Sequence, residues 1–415
     1  MCKLTKEGDG KIIKDPVHGF MDLNEMQVEL LSQPEAQRMT WIKQLGLGLL
    51  VYPGGHHTRL EHCLGTSYLC KRIGVELDLD DEERKLLEAA GMLHDIGHPP
   101  FSHTVEEVME KNHMEATRDL IVGDVRLDIP GSGDIPEILE RYGLDPEDVA
   151  DLVTGDFGGK KYLRDIISSQ MDADQLDYLA RDAHHTGVSY GSIETDWIIK
   201  VMEINDGRLT YKEKGMDALE DCIIARDHMH SSVYFHRTSS IAEKMLLRAV
   251  ERYMESEGDE GDDIFWMTDG ELMQTLSLSN PFSREMIRRI KTRNLYKQAY
   301  TVKDTDEKAM ERFRSISDRP EEEIEKDIAG MTDLDTDLVI VNRQREVTGE
   351  LEPRLRQFDI RISFGEDKVV PLEEVSEIVK SLKRKEPVRN LLSVYTVPEE
   401  RDVVREAAEK YLKQN

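Results

Sequence analysis

Positive charge is scarce in this chain. Its 415 residues carry 84 Asp and Glu against 55 Lys and Arg, a formal net charge of −29. A general duplex-binding surface needs basic side chains to displace counterions from phosphates, so strong duplex nucleic-acid binding is not expected. A small anionic substrate stays open, because a few local cations or a metal reverse the field inside a cleft. Cysteine is scarce too. Cys2, Cys63, Cys70 and Cys222 form no CxxC pair, which argues against a zinc knuckle and a disulfide scaffold. Cys63 and Cys70 fall on a predicted helix and read as small core residues. Long apolar runs are missing. Leu45–Tyr52 is interrupted by glycines and falls far short of the roughly 20 residues that a bilayer span needs. The polar opening MCKLTKEGDGK offers no apolar leader, and the expected compartment is the cytoplasm.

Histidine is absent from the whole C-terminal part. All 13 histidines lie between His18 and His236, so imidazole chemistry belongs to the first 240 residues or so. Hydrophobic residues make up 39% of the chain, enough for a real core, and the length suggests two or three domains. Hydrophobic spacing predicts helices over Met26–Leu31, Pro34–Gln44, Arg59–Leu77, Asp81–Leu93, Thr104–Lys111, Pro136–Tyr142, Pro146–Thr154, Tyr162–Ala180, Glu194–Met202 and Met216–Tyr253. Asp206-Gly207 inside VMEINDGRLTYKE is a two-residue hairpin signal. The acidic stretch Glu255–Asp263 reads as a linker. Beyond it, a helical patch at Ser283–Ala299 precedes strand-like runs at Asp335–Asn342, Gln357–Phe364 and Leu391–Thr396, with helices at Leu372–Lys383 and Glu399–Leu412. The expected organisation is a mainly α core over residues 1–255 with a small β-hairpin insertion. A smaller α+β region over 256–415 follows, regulatory or oligomer-forming.

The informative segment is Leu93-His94-Asp95-Ile96-Gly97-His98-Pro99-Pro100-Phe101-Ser102-His103. Three histidines and an aspartate close an apolar helix, and burying them is costly unless they are paired or bound to metal. His94 and His98 share a helical face if the turn continues. A metal needs further ligands. Arg59-Leu60-Glu61-His62 opens one helix, and the segment Asp172-Ala173-Asp174-Gln175-Leu176-Asp177 supplies three carboxylates on another. Mixed His and Asp donors suit a borderline or hard divalent ion. From spacing alone, His56, His57 and Asp172 rival His62 and Asp174.

His62, His94-Asp95 and Asp174 resemble the H…HD…D signature of the HD-domain metal-dependent phosphohydrolases. The segments DPVHGFMDL, QRMTWIKQLG, PGGHHTRLEHCLG, HDIGHPPFSH and DADQLDYLARDAHHTG extend the likeness. They resemble the deoxynucleoside triphosphate triphosphohydrolase branch, which includes bacterial dGTP triphosphohydrolases and the vertebrate SAM-and-HD-domain dNTPase. The resemblance runs over roughly residues 11–300. It implies an HD helical core and one divalent ion per site (Mn, Fe, Mg, Ni or Zn). The implied reaction is water attack on the α-phosphorus, giving a deoxynucleoside and inorganic triphosphate.

Carried over position by position, the resemblance makes His62, His94, Asp95 and Asp174 the metal ligands. Arg59 contacts the phosphate next to the sugar, and His98 and His103 bind or orient phosphate. His113 is the catalytic histidine, with Glu106 where the family usually has Asp. Arg226, His230 and Tyr234 are spaced as one helical face and match contacts to triphosphate, base and sugar. Arg237 stands where a phosphate-binding Lys is common. Tyr178 and Asp182 match positions holding the sugar ring and its 3′-hydroxyl. Gln44 and Leu45 line the sugar pocket, where Tyr234 would crowd a 2′-hydroxyl. Gln175 replaces a Lys of the vertebrate member. Lys11, Arg293 and Lys297 resemble parts of an inter-subunit activating-nucleotide site, although Ser32 and Thr40 replace its guanine-reading residues. A dimer or tetramer is implied. Two other readings compete: a different HD phosphohydrolase (nucleotidase, phosphodiesterase or nuclease), and a nucleotide-sensing or nucleic-acid-binding adaptor.

Overall fold

The computed structural model describes residues 10–258, 261–303, 307–316, 318–343, 359–365, 368–384 and 390–414. Cys2, residues 259–260 of the acidic linker and the first two residues of the predicted 357–364 strand lie outside the described residues. The architecture is mainly α, with small sheets and an α+β C-terminal region. Two compact units emerge, and they are interleaved along the chain. The first takes residues 1–235, 260–272 and 358–380; the second takes 236–259, 273–357 and 381–415. This interleaving differs from the single boundary expected at residue 255, because residues 260–272 and 358–380 return to the first unit.

The first unit is built on helix pairs. The Arg59–Glu76 helix packs against Asp81–Leu93 and against Ala173–Thr186. Local sequence explains where these helices start. The Asp80 carboxylate accepts the Glu83 N–H at 2.9 Å, and three acidic residues fill the first turn, where the helix dipole favours them. The opposite face buries Leu86, Leu87, Ala90 and Leu93. His113–Val122 begins at Asn112, whose side chain accepts the Glu115 N–H at 2.9 Å.

The predicted hairpin is present, Met202–Asn205 against Arg208–Lys212. It extends to a four-stranded sheet through parallel pairing of Tyr211 with Ile362 and antiparallel pairing of Arg361–Ser363 with Val369–Pro371. A second hairpin, Lys11–Asp15 with Gly19–Leu23, was not foreseen. The second unit has a three-stranded sheet in which Asn390–Thr396 lies between Lys297–Lys303 and Val339–Arg343. Its core gathers Val302, Ile324, Ile328, Val341, Val394, Val404 and Ala408.

Several predicted helices are shorter than the periodicity suggested. Tyr162–Ala180 divides into Lys161–Ile167 and Ala173–Thr186, because Asp172 turns away to cap the second helix, accepting the N–H groups of Ser169 and Gln175 at 2.7 Å each. Met216–Tyr253 divides into Met216–Met229 and Arg237–Glu257 around a π turn at His230–Tyr234. There the extended His236 uses its ring to accept the Thr238 N–H at 3.2 Å. Thr104–Lys111 reduces to His103–Glu106, and Pro34–Gln44 to Pro34–Arg38 with a 3₁₀ turn after it. Ser283–Ala299 becomes the Pro281–Lys291 helix followed by a strand.

Inside the first unit lies a buried ionic knot. Arg181 donates to both oxygens of Asp177 at 2.9 Å and to Asp15 at 2.7 Å. All three side chains are nearly inaccessible to solvent. Gly65 leaves room for this knot, since a Cβ there would stand 1.8 Å from Asp177 Oδ1 and 2.5 Å from Arg181 Nη2. Gly65→Ala should therefore cost about 1–3 kcal/mol through overpacking. Thermal or denaturant unfolding followed by circular dichroism should show an earlier transition, and an unchanged transition would contradict the packing.

Candidate metal centre and its surroundings

Three distant stretches meet in the first unit. His62 projects from the Arg59–Glu76 helix, His94 and Asp95 follow the end of Asp81–Leu93, and Asp174 lies in the first turn of Ala173–Thr186. His62 Nε2 is 3.1 Å from His94 Nε2, 2.9 Å from Asp174 Oδ1 and 3.9 Å from Asp95 Oδ2. His94 Nε2 lies 3.5 Å from Asp95 Oδ1 and 3.8 Å from Asp174 Oδ1. Among the described residues, His62, His94 and Asp95 form one of two groups whose donor atoms are close enough to share an ion. The rivals are engaged elsewhere. Asp172 caps a helix, His57 Nε2 bonds Asp182 Oδ1 at 2.7 Å, and His56 is exposed.

The donor set fits a divalent cation. Two imidazole nitrogens and two carboxylates point at one another, and that gathering is unfavourable unless protons or a cation sit between them. The protein's own charges show this tension. Burial would lower the His62 pKa, but Asp174 and Asp177 override it and push it up to about 10. Burial would raise Asp95, yet His94, Arg59 and His98 hold it well below the carboxylate range. Behind His62, Asp177 Oδ2 faces Nδ1 at 2.8 Å, and Oδ1 faces His18 Nε2 at 2.6 Å. Burial opposes ionisation of Asp177, but Arg181, His18 and His62 keep it a carboxylate. A proton on Nδ1 shared with Asp177 leaves Nε2 free to ligate. Sequence reasoning did not single out Asp177; its position three residues after Asp174, on the same helix, was the available signal.

Next to this lies the second group, His98, His103, Glu106 and His113. Glu106 and His113 were expected two turns apart on one helix. They sit on different short helices, yet Glu106 Oε1 accepts the His113 N–H at 2.6 Å and faces His113 Nδ1 at 2.7 Å. His103 Nδ1 bonds Glu106 Oε2 at 3.0 Å from an exposed position. Burial would raise Glu106, but His103 and His113 hold it far below its usual value. His98 and His113 rings stack at 4.1 Å. Burial, Arg59 and His113 push His98 well below the ordinary imidazole value, so it stays neutral. The helix ends at Leu93, so His98 does not share a helical face with His94; it lies 3.4 Å from Asp95 Oδ1. Gly97 makes the turn feasible, since a Cβ would stand 2.3 Å from the Thr117 nitrogen.

Arg59 is buried, pairs with Asp95 and donates from Nε to Ser102 Oγ at 2.7 Å. Phe101 and Ser102 adopt φ of 55° and 52°, a conformation costing of order 1–3 kcal/mol for non-glycine residues. A third group completes the surroundings. Tyr234 OH donates to Asp182 Oδ2 at 2.7 Å, and the Tyr178 ring lies 6.1 Å from Tyr234 and 6.5 Å from His62. Arg226 donates to Gln170 at 3.0 Å. His230 lies 5.0 Å from Tyr234 ring to ring, although the π turn replaces the even helical stripe expected for Arg226, His230 and Tyr234. Burial and Arg226 push His230 down to about 3. Gln44 donates its N–H to the His57 carbonyl at 3.0 Å, with Leu45 next in the chain. Arg237, Arg293 and Lys297 belong to the second unit, and Lys11 to the hairpin of the first.

Comparison with known proteins fits this arrangement. Residues 59–182 match the HD domain, and residues 193–415 match the HD associated region. The chain is 32% identical over 400 residues to the uncharacterized protein MJ1154 of Methanocaldococcus jannaschii, covering 95% of this chain and 81% of that one. It is 37% identical over 257 residues to the uncharacterized protein YwfO of Bacillus subtilis, covering 60% and 57%. It is 29% identical over 342 residues to the human deoxynucleoside triphosphate triphosphohydrolase SAMHD1, covering 69% and 54%. The chain thus spans little more than half the length of the last two. Among solved structures, a hypothetical protein from Aquifex aeolicus superposes with a TM-score of 0.75 at 26% identity, covering 96% of this chain and 99% of that one. A phosphohydrolase from Bacteroides thetaiotaomicron gives 0.71 at 25%, covering 93% and 99%. With the H…HD…D residues gathered at one point and both sequence regions matched, the chain belongs to the HD-domain phosphohydrolase family.

Proposed function

We propose that the first unit hydrolyses deoxynucleoside triphosphates to a deoxynucleoside and inorganic triphosphate. The observation that carries the reading is the adjacency, in one unit, of three groups: the His62–His94–Asp95–Asp174 donors, the His98–His103–Glu106–His113 cluster, and the Tyr178–Asp182–Tyr234 side chains. A divalent ion held by the four donors would polarise a phosphoryl oxygen and acidify a bound water. Arg59, Arg226, His98 and His103 would meet the phosphate oxygens. His113, oriented by Glu106, would give its proton to the departing 5′-oxygen. Tyr178, Asp182, Gln44 and Leu45 would hold the sugar, with Tyr234 against C2′ and His230 toward the base.

The identity of the ion and the preferred dNTP, dGTP included, are matters for assay. No helix among the described residues is long and apolar enough to cross a membrane, and we place the reaction in the cytoplasm. Lys11, Arg293 and Lys297 are our candidates for contacts to an activating nucleotide in a homo-oligomer.

The direct test is incubation with each dNTP and rNTP in Mn²⁺ or Mg²⁺, with products identified by mass. Orthophosphate or a nucleoside monophosphate as the product would favour another hydrolytic chemistry. Asp174→Ala should abolish metal loading, measured by elemental analysis, together with turnover; full activity would refute the ligand assignment. His113→Ala should keep its metal and lose about 10²–10⁴-fold in kcat, and an unchanged kcat would remove His113 from the chemistry. Asp177→Asn should weaken metal affinity about 10–100-fold by releasing His62; wild-type affinity in a chelator competition would show that Asp177 does not orient the ligand.

A further inference from the structure

The catalytic surroundings depend on a carboxylate that lies far from them in sequence. Asp269 opens the Asp269–Leu278 helix and is buried. Its Oδ1 accepts the Phe101 N–H at 2.8 Å, and its Oδ2 accepts the Lys43 N–H at 3.0 Å. The two donating amides belong to separate segments of the first unit, and both lead to Arg59.

The first route runs through the side chain. The Phe101 N–H held by Asp269 belongs to the positive-φ Phe101–Ser102 pair. Ser102 Oγ accepts from Arg59 Nε at 2.7 Å. An unfavourable backbone conformation persists where surrounding contacts over-determine it, and Asp269 supplies one such contact. The second route runs through the backbone. Lys43 pairs with Thr58 in an isolated bridge, Gln44 N–H donates to the His57 carbonyl at 3.0 Å, and Arg59 N–H donates to the Ile42 carbonyl at 2.9 Å. Fixing Lys43 therefore fixes the stretch on which Arg59 begins its helix. Nearby, buried Arg38 binds the carbonyls of Ile96 and His98 at 3.1 and 2.6 Å and that of Met267 at 3.1 Å, tying the same loop to the residues just before Asp269.

We propose that Asp269 is a positioning residue: by accepting the Phe101 and Lys43 amides together, it sets both the backbone and the guanidinium of Arg59 for binding substrate phosphate. An ionised carboxylate suits this task because it is acceptor-only and offers one oxygen to each amide. Asparagine has the same shape but would turn an NH₂ toward one of the two N–H groups. The proposal deepens the dNTP reading and rests on it for its kinetic part.

The test uses the full chain loaded with Mn²⁺ and compares wild type with D269N, S102A, R59A and the D269N/R59A double variant. The measurements are kcat, KM, metal content and hydrogen exchange of the segments around Lys43 and Phe101. D269N should retain its metal, speed exchange at both segments, and lower kcat/KM about 10–100-fold, the scale on which a small misplacement acts. S102A, which leaves Asp269 untouched, should reproduce part of the kinetic loss and serves if D269N fails to fold. In the R59A background D269N should add no further loss, whereas a merely structural role would add its full effect. Full additivity with R59A, or a kinetic loss that only tracks lost metal, overturns the proposal. If the wild type turns over no dNTP, the functional reading falls, and exchange alone decides: faster amides in D269N support the positioning role and unchanged amides overturn it.

Discussion

A single buried carboxylate organises the first unit. Asp177 has no access to solvent, and desolvating a charge of that kind is strongly unfavourable unless several donors meet it. Here Arg181, His18 and His62 all do. The same contacts tie together parts of the chain with little else in common. Arg181 reaches Asp15 at the end of the N-terminal hairpin, His18 comes from the turn of that hairpin, and His62 comes from the Arg59–Glu76 helix. This buried ionic contact thus also holds the His62 imidazole, one of the four clustered donors. Stability and ligand geometry are coupled through one side chain.

The site has a graded electrostatic layout. At the centre, His and Asp donors crowd together and distort one another's protonation. One step out, Glu106 is kept ionised and His98 neutral by their neighbours. Further out, Asp182 is shared by Tyr234 and His57, and the contacts change from ionic to hydrogen-bonding character. A substrate with a charged tail and a neutral polar body matches that gradient. Within a chain of formal net charge −29, Arg59, His98, His103 and His113 stand close together around Asp95 and Glu106.

Much of this was legible in the chain. The helix capped at Asp80, the Asp206-Gly207 hairpin and the HD segment all carry short-range signals that do not depend on tertiary context. Within Asp172–Asp177, however, three carboxylates look alike in sequence and meet three fates. Asp172 caps, Asp174 joins the donors, and Asp177 turns inward to Arg181. Helical phase separates them, and the phase depends on where the helix starts, which the longer predicted Tyr162–Ala180 helix obscured. The N-terminal hairpin was missed because its turn, Pro16-Val17-His18, lacks the usual two-residue signature and its stability comes from Asp15 and His18 binding elsewhere. Asp269 was out of reach for another reason: its partners are two backbone amides distant in sequence, and no side-chain pattern announces a backbone contact.

In the proposed reaction, water attacks the α-phosphorus and the sugar oxygen leaves. Turnover of a dNTP in H₂¹⁸O, with mass analysis of both products, addresses it most directly. Attack at the α-phosphorus puts one ¹⁸O in inorganic triphosphate and none in the deoxynucleoside. Label in the deoxynucleoside, or in orthophosphate released without any triphosphate, would contradict it.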